Sequence, residues 1–159
     1  MAQKERTKAG ALAAVERLLD APYWVIDVLP SQVPADAGRR FFKAEGLLLK
    51  GLRREFAKVL IKLSCYHEFV VARGEGQKIA RDPKPKKLKK WVERGSESLS
   101  LLLPSEDALI VVPTDSTCMA LYNSSPQLLE QVQTISASEG LFVWQPPDAS
   151  GSPKSNSGL

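Results

Sequence analysis

His67 is the single histidine among 159 residues, so any catalytic dyad, triad or imidazole-ligated metal has to use it. Cys65 lies two positions before it. On an extended strand the two side chains would share a face, roughly 6–7 Å apart by strand rise. A thiolate nucleophile would need that gap closed and a third group to orient the imidazole. Zinc is the other chemistry these types suggest, with Cys118 as a third ligand. A Cys-x-His pair plus one distant cysteine matches no common zinc spacing and lacks a fourth donor. The pattern better suits small, packed thiols beside a histidine with its hydrogen bond satisfied. No catalytic residue and no metal ligand is therefore assigned, and an enzyme using Cys65 and His67 is kept only as an alternative.

Carboxylates offer less. Asp27 sits inside the apolar run Tyr23 to Leu29. A half-buried, unpaired carboxylate there would have a raised pKa, which is how a general acid looks. An edge strand turning Asp27 to water gives the same pattern, and that is the expectation. Glu106, Asp107 and Asp115 fall in turn-like stretches, where acids commonly bond their own backbone. Gly74-Glu75-Gly76 is too short for a dinucleotide cradle, so no cofactor is expected.

The strongest signal is electrostatic. Residues 38 to 94 hold 17 Lys/Arg against 6 Asp/Glu, whereas residues 95 to 159 hold 1 against 7. The formal charge of +4 thus conceals a basic middle and an acidic final third. Lys50, Arg54, Lys58 and Lys62 recur every four residues, which stacks them along one helix edge. Like charges so placed repel by a few tenths of a kcal/mol per pair, on a scale of ~0.2–0.5. Arg53 is expected on the same solvent side. A second basic stretch runs from Lys84 to Arg94. On a helix, Leu88, Trp91 and Val92 form its narrow apolar stripe, flanked by Lys86, Lys87, Lys90 and Arg94.

These residues could serve phosphates, with Trp91 as a stacking surface, or an acidic protein surface, with Trp91 as an apolar anchor. They could also be solvated, or neutralised by the acidic third of the chain. Against nucleic acid, the strand aromatics lie among apolar neighbours, and no finger spacing, helix-turn-helix pattern or Arg/Gly tract is present.

The elements that must position these groups follow from periodicity. Leu12, Val15, Leu18 and Leu19 mark a helix stopped by Pro22. Tyr23 to Leu29 reads as a strand. Leu48, Leu52, Phe56, Val59, Leu60 and Leu63 form one stripe of a helix over 47–64. Strands are expected at 66–73, 77–81, 98–103, 108–112 and 118–122. A helix from Pro83 to Gly95 would be capped by Asp82, and another runs from Ser125 to Gly140. Leu141 to Trp144, apolar on both faces, should be a buried central strand.

The predicted fold is α+β, a mostly antiparallel sheet of about five or six strands with three or four helices packed on it. Residues 8–146 are expected to form one compact domain, after a flexible stretch 1–7 and before a disordered tail 147–159 rich in Pro, Ser and Gly. The 43% hydrophobic and 25% charged composition is that of a globular chain. No apolar run reaches the ~20 residues of a membrane span. The first helix is broken by Glu16 and Arg17, unlike a secretion signal, so a cytoplasmic location is expected. Two cysteines suit a reducing compartment. The function expected is a non-enzymatic interaction module of inhibitor, immunity or adaptor type, docking basic helices on an acidic protein, with nucleic-acid binding by the same residues as the alternative.

Overall fold

A computed structural model describes residues 2–114 and 117–149; between residues 35 and 50 only some side chains are described, and that of Lys50 is not among them. In chain order the elements are α1 (Ala2–Leu18), β1 (Tyr23–Asp27), α2 (Gly38–Ser64), β2 (Val70–Arg73), β3 (Lys78–Arg81), α3 (Pro85–Arg94), β4 (Leu99–Leu103), β5 (Ala108–Val112), β6 (Cys118–Tyr122), α4 (Pro126–Ser138) and β7 (Phe142–Trp144). Single 3₁₀ turns occupy Ala35–Ala37, Pro104–Glu106 and Pro147–Ala149. The strands form one sheet in the order β3-β2-β4-β5-β6-β1-β7, antiparallel at every pairing. This is the expected α+β class, with seven strands rather than five or six.

Strand alternation sorts the sheet into two faces. Val71, Leu101, Ile110, Leu121 and Trp24 lie in register across five strands. That row meets α2, α3 and α4, whose Leu52, Phe56, Leu60, Leu63, Leu88, Val92, Leu128 and Val132 fill the main core. The next row, Val70, Leu102, Leu109, Tyr122 and Tyr23, faces the other way. Over β2, β4 and β5 it is covered by α1 through Val15 and Leu18. Two covered faces explain why Leu99–Leu103 and Ala108–Val112 read as near-continuous apolar runs.

Several boundaries differ from the sequence expectation. The stretch 1–7 was expected to be flexible, yet α1 begins at Ala2: its Ala, Gln, Lys, Glu and Arg are all favourable helix residues, though they bury little. Helix α2 starts at Gly38 rather than 47, and Gly51, with φ +105°, interrupts its regular geometry before the buried stripe begins. Tyr66 and His67 lie in the turn that closes α2, their N–H groups both bonding the Leu63 carbonyl, so β2 begins only at Val70. Asp82 does not cap α3. It takes a left-handed φ of 46°, while Lys84 occupies the N-cap without a side-chain bond and Pro85 opens the helix. By contrast, the Ser125 hydroxyl accepts from Leu128 N–H at 3.1 Å and caps α4 as expected.

Two strand placements are reversed. Residues 142–144 are the sheet edge, not its centre, and Phe142 is 48% exposed. Leu141 supplies the apolar signal by packing into the main core, and Pro146 and Pro147 then end an edge that lacks further donors. The expected tail also starts too early, since Pro147–Ala149 make a 3₁₀ turn with Ala149 buried. Residues 150–159 lie outside the described residues.

Arg53 does not join the solvent side of α2. Its guanidinium donates to the Val92 carbonyl (3.1 Å) and the Pro113 carbonyl (3.0 Å), tying α2 to the end of α3 and the end of β5. Gly95 makes room for it: a Cβ there would lie 2.5 Å from Arg53 Cζ, and Gly95 takes φ +60°, so it both ends α3 and admits the guanidinium. Arg53→Met should therefore lower stability by about 1–3 kcal/mol, because two carbonyls lose a charged donor. Chemical denaturation of the two proteins measures this, and an unchanged midpoint would remove Arg53 from the framework.

Candidate functional site

Helices α2, α3 and α4 pack side by side on one face of the sheet, α2 in contact with both others. The two basic helices thus share a layer. Their cations differ sharply in circumstance.

Lys58 and Lys62 are held by the acidic final third. Lys62 Nζ lies 2.6 Å from Glu139 and 3.0 Å from the Ser138 hydroxyl. Lys58 approaches Glu55 at 3.4 Å and Glu139 at 3.8 Å. Glu139 is the C-cap of α4, where the helix end carries partial negative charge and disfavours a carboxylate. The Lys62 hydrogen bond, with smaller contributions from Glu55, Lys62 and Lys58, instead holds its pKa below the usual carboxylate range. This half of the basic row is an internal tie between α2 and α4. Arg54 is exposed and makes no ion pair with a described residue. Lys50 belongs to α2, but its side chain lies outside the described ones.

Helix α3 is different. Leu88 and Val92 are buried, and Lys86, Lys87, Lys90 and Arg94 are all exposed without an ion pair to a described residue. Lys89 alone reaches an acid, Glu93, at 3.9 Å. The first turn contains no acidic residue and no side-chain cap, so Lys84, Lys86 and Lys87 cluster at the positive end of the helix dipole. Trp91 is half-buried, and the Arg73 guanidinium stands 3.9 Å from its ring centroid. Arg73 is fixed in turn by Glu97 at 3.0 Å. One face of the indole is thereby occupied within the chain itself.

The Cys65–His67 arrangement is not a dyad in this geometry. The Cys65 thiol is exposed and meets the Ile61 carbonyl at 3.5 Å. His67 Nε2 lies 2.5 Å from Gln131 Oε1, and Nδ1 lies 3.9 Å from Glu106. Both imidazole nitrogens face α4 and the β4–β5 turn rather than a thiol. Among the described residues no group of three or more His, Cys, Asp or Glu is placed to hold a metal. Asp107 pairs with Arg17, and Asp115 lies outside the described residues.

Asp27 corrects the sequence expectation of a water-facing edge. Strand β1 lies between β6 and β7, and Asp27 is only 8% exposed. Burial raises its pKa; the Leu29 and Val28 amides oppose that, and the buried Trp144 indole N–H, which makes no hydrogen bond of normal geometry, adds a weaker pull the same way. The carboxylate opposes Cys118 in register. Nothing in the sequence distinguished this position from an edge, since the pairing of β1 with β7 depends on residues more than a hundred positions away.

Compared with known proteins, the chain matches no family model, no curated protein and no solved structure. No helix among the described residues is long and apolar enough to cross a membrane.

Asp27 and Glu139 should affect stability with opposite pH signs. Glu139, with its folded pKa lowered, contributes stability above its unfolded pKa that is lost as pH falls through the folded value. Asp27, with its folded pKa raised, costs stability as pH rises from the unfolded to the folded value. Asp27→Asn keeps an acceptor for the Leu29 amide and removes the charge. It should melt a few degrees higher at neutral pH and match the parent protein well below the carboxylate range. Thermal melts across pH decide this, and a variant less stable at neutral pH would show that the ionised carboxylate is needed.

Proposed function

We propose that the chain is a non-enzymatic interaction module whose α3 face docks on an acidic protein surface. The observation that carries this reading is the set of exposed cations Lys86, Lys87, Lys90 and Arg94 on one short helix, none paired with a described acid. The comparison with α2 matters, because the same chain pairs Lys58 and Lys62 with Glu139. Other acids of the final third are also engaged: Glu97 with Arg73, Asp107 with Arg17, and Glu106 beside His67. None of them forms an ion pair with an α3 cation among the described residues. An acidic partner would relieve the repulsion between those cations and the unfavourable position of Lys86 and Lys87 in the first turn of the helix.

Nucleic acid remains the second reading, since phosphates would relieve the same repulsion. It is weaker on one point. A single-strand groove needs an aromatic surface for bases, and Trp91 carries Arg73 on its ring. Arg54, exposed on α2, is free of ion pairs with described residues and available to a partner in either case. Lys58 and Lys62 contribute less, because a partner would have to compete with Glu139.

A photo-crosslinker placed at Lys90 should give a discrete protein adduct that survives nuclease, while one at exposed Gln133 on α4 should not. Lys86→Glu combined with Lys90→Glu should abolish that adduct and leave stability within about 0.5 kcal/mol, as for exposed sites. Loss of the adduct on nuclease treatment would reject the protein-docking reading. Binding to a dT20 strand would then be expected to fall with salt at a log–log slope of roughly −0.7 per phosphate neutralised.

A further inference from the structure

The opposite face of the sheet holds a feature unrelated to the basic helices. Helix α1 crosses β2, β4 and β5 with Thr7, Ala11, Ala14 and Leu18 along one stripe. Leu18 is fully buried and Val15 nearly so, which fixes the C-terminal half of the helix. Leu12 seats against Gly76 in the β2–β3 turn, and Lys8 Nζ bonds the Gln77 carbonyl at 2.8 Å. The Arg17–Asp107 ion pair ties down the far end. Between these attachments the small, half-buried side chains of Ala11 and Ala14 pack toward Val70, Leu102 and Leu109. An apolar slot of about 320 Å³ remains, floored by Val70, Ile79 and Leu102.

Charge stands at both ends of the slot, the Arg17–Asp107 ion pair at one and an excess of cations at the other, its mouth. Lys4, Lys8, Lys78 and Arg81 line a second cleft of about 570 Å³ between the start of α1 and the edge strand β3. Thr7, Ile79 and Arg81 border both spaces, so the two are neighbours. Glu5 is the one acid in the mouth. Arg81 is partly neutralised by Glu68 at 2.7 Å, whereas Lys4 and Lys78 make no ion pair with a described residue. Lys8 spends one of its three donors on Gln77.

We propose that this slot binds a monomeric single-chain amphiphile with an anionic head, its tail under α1 and its head among Lys4, Lys8 and Lys78. The polarity of the space supplies the argument: a mostly apolar groove is a poor host for water, and the neighbouring cleft gathers a cluster of ammonium groups. The volume lies at the low end of the roughly 300–1,000 Å³ of small-molecule sites, which admits one chain and not two. Lipid bilayers offer the same headgroup charge, but a slot between a helix and a sheet takes a tail already out of the membrane.

The probe is dodecanoate, titrated into the full chain below its micelle range by calorimetry, with dodecanol and acetate alongside. Saturable 1:1 binding of dodecanoate is expected, dodecanol binding should be weaker, and acetate should not bind. Lys4→Glu with Lys78→Glu alters only exposed side chains, and should weaken dodecanoate at least tenfold while sparing dodecanol. Ala14→Trp should fill the slot and abolish both; should it unfold the protein, the charge pair still tests the head. Absence of saturable dodecanoate binding overturns the proposal, as does binding indifferent to the charge reversal. Binding confined to vesicles of phosphatidylcholine and phosphatidylglycerol would overturn it too, and would make the basic mouth a membrane-surface contact.

Discussion

The buried stripe of α2 is the constraint on which the rest of the molecule depends. Leu52, Phe56, Val59, Leu60 and Leu63 are at most 3% exposed and must lie on the sheet. With 3.6 residues per turn, that choice leaves no freedom for the others. Arg53 is rotated to one flank, where it reaches Val92 and Pro113, and Lys58 and Lys62 to the other, where Glu139 waits. The flanking helices are thus attached by charge to a helix whose orientation is set by apolar burial. Neither attachment would exist if the stripe were turned by one position.

This explains how one row of cations can have mixed roles. Four residues apart on a helix, Lys50, Arg54, Lys58 and Lys62 look equivalent, and in isolation they are. Equivalence is lost when α4 ends beside only part of the row. A carboxylate at a helix C-terminus is ordinarily unfavourable, so Glu139 and the two lysines are best understood as one unit. The interior tie reduces the surface on offer to a partner and shifts the weight of the electrostatic argument to α3.

Local chemistry was legible in the sequence, and distant pairing was not. The cap at Ser125, the α2 stripe and the hairpin strands β4 to β6 follow from neighbours within a few residues. The fate of Asp27 and of Phe142 depends on whether β1 or β7 stands at the edge. Both strands are apolar, and nothing within YWVID or LFVW says which one is covered. His67 shows the same limit, since its strand placement came from the apolar residues after it, while the turn that follows α2 carries it instead. Arg53 was misread for a different reason: a guanidinium that bonds carbonyls leaves no partner of opposite charge to find in the sequence.

Four acids of the final third each join two elements of the fold. Glu97 fixes the arginine that covers Trp91, Asp107 closes the end of α1, Glu106 stands beside His67, and Glu139 holds the α2 lysines. Each of these acids joins two elements of the fold, so the charge segregation along the chain becomes a set of ties when it folds. If segregation served folding alone, α3 would have its share of these ties. It has only the marginal Lys89–Glu93 contact within its own length. Among the described residues the excess charge on α3 is left unbalanced by the fold, which is what sets this helix apart from α2 in the same layer.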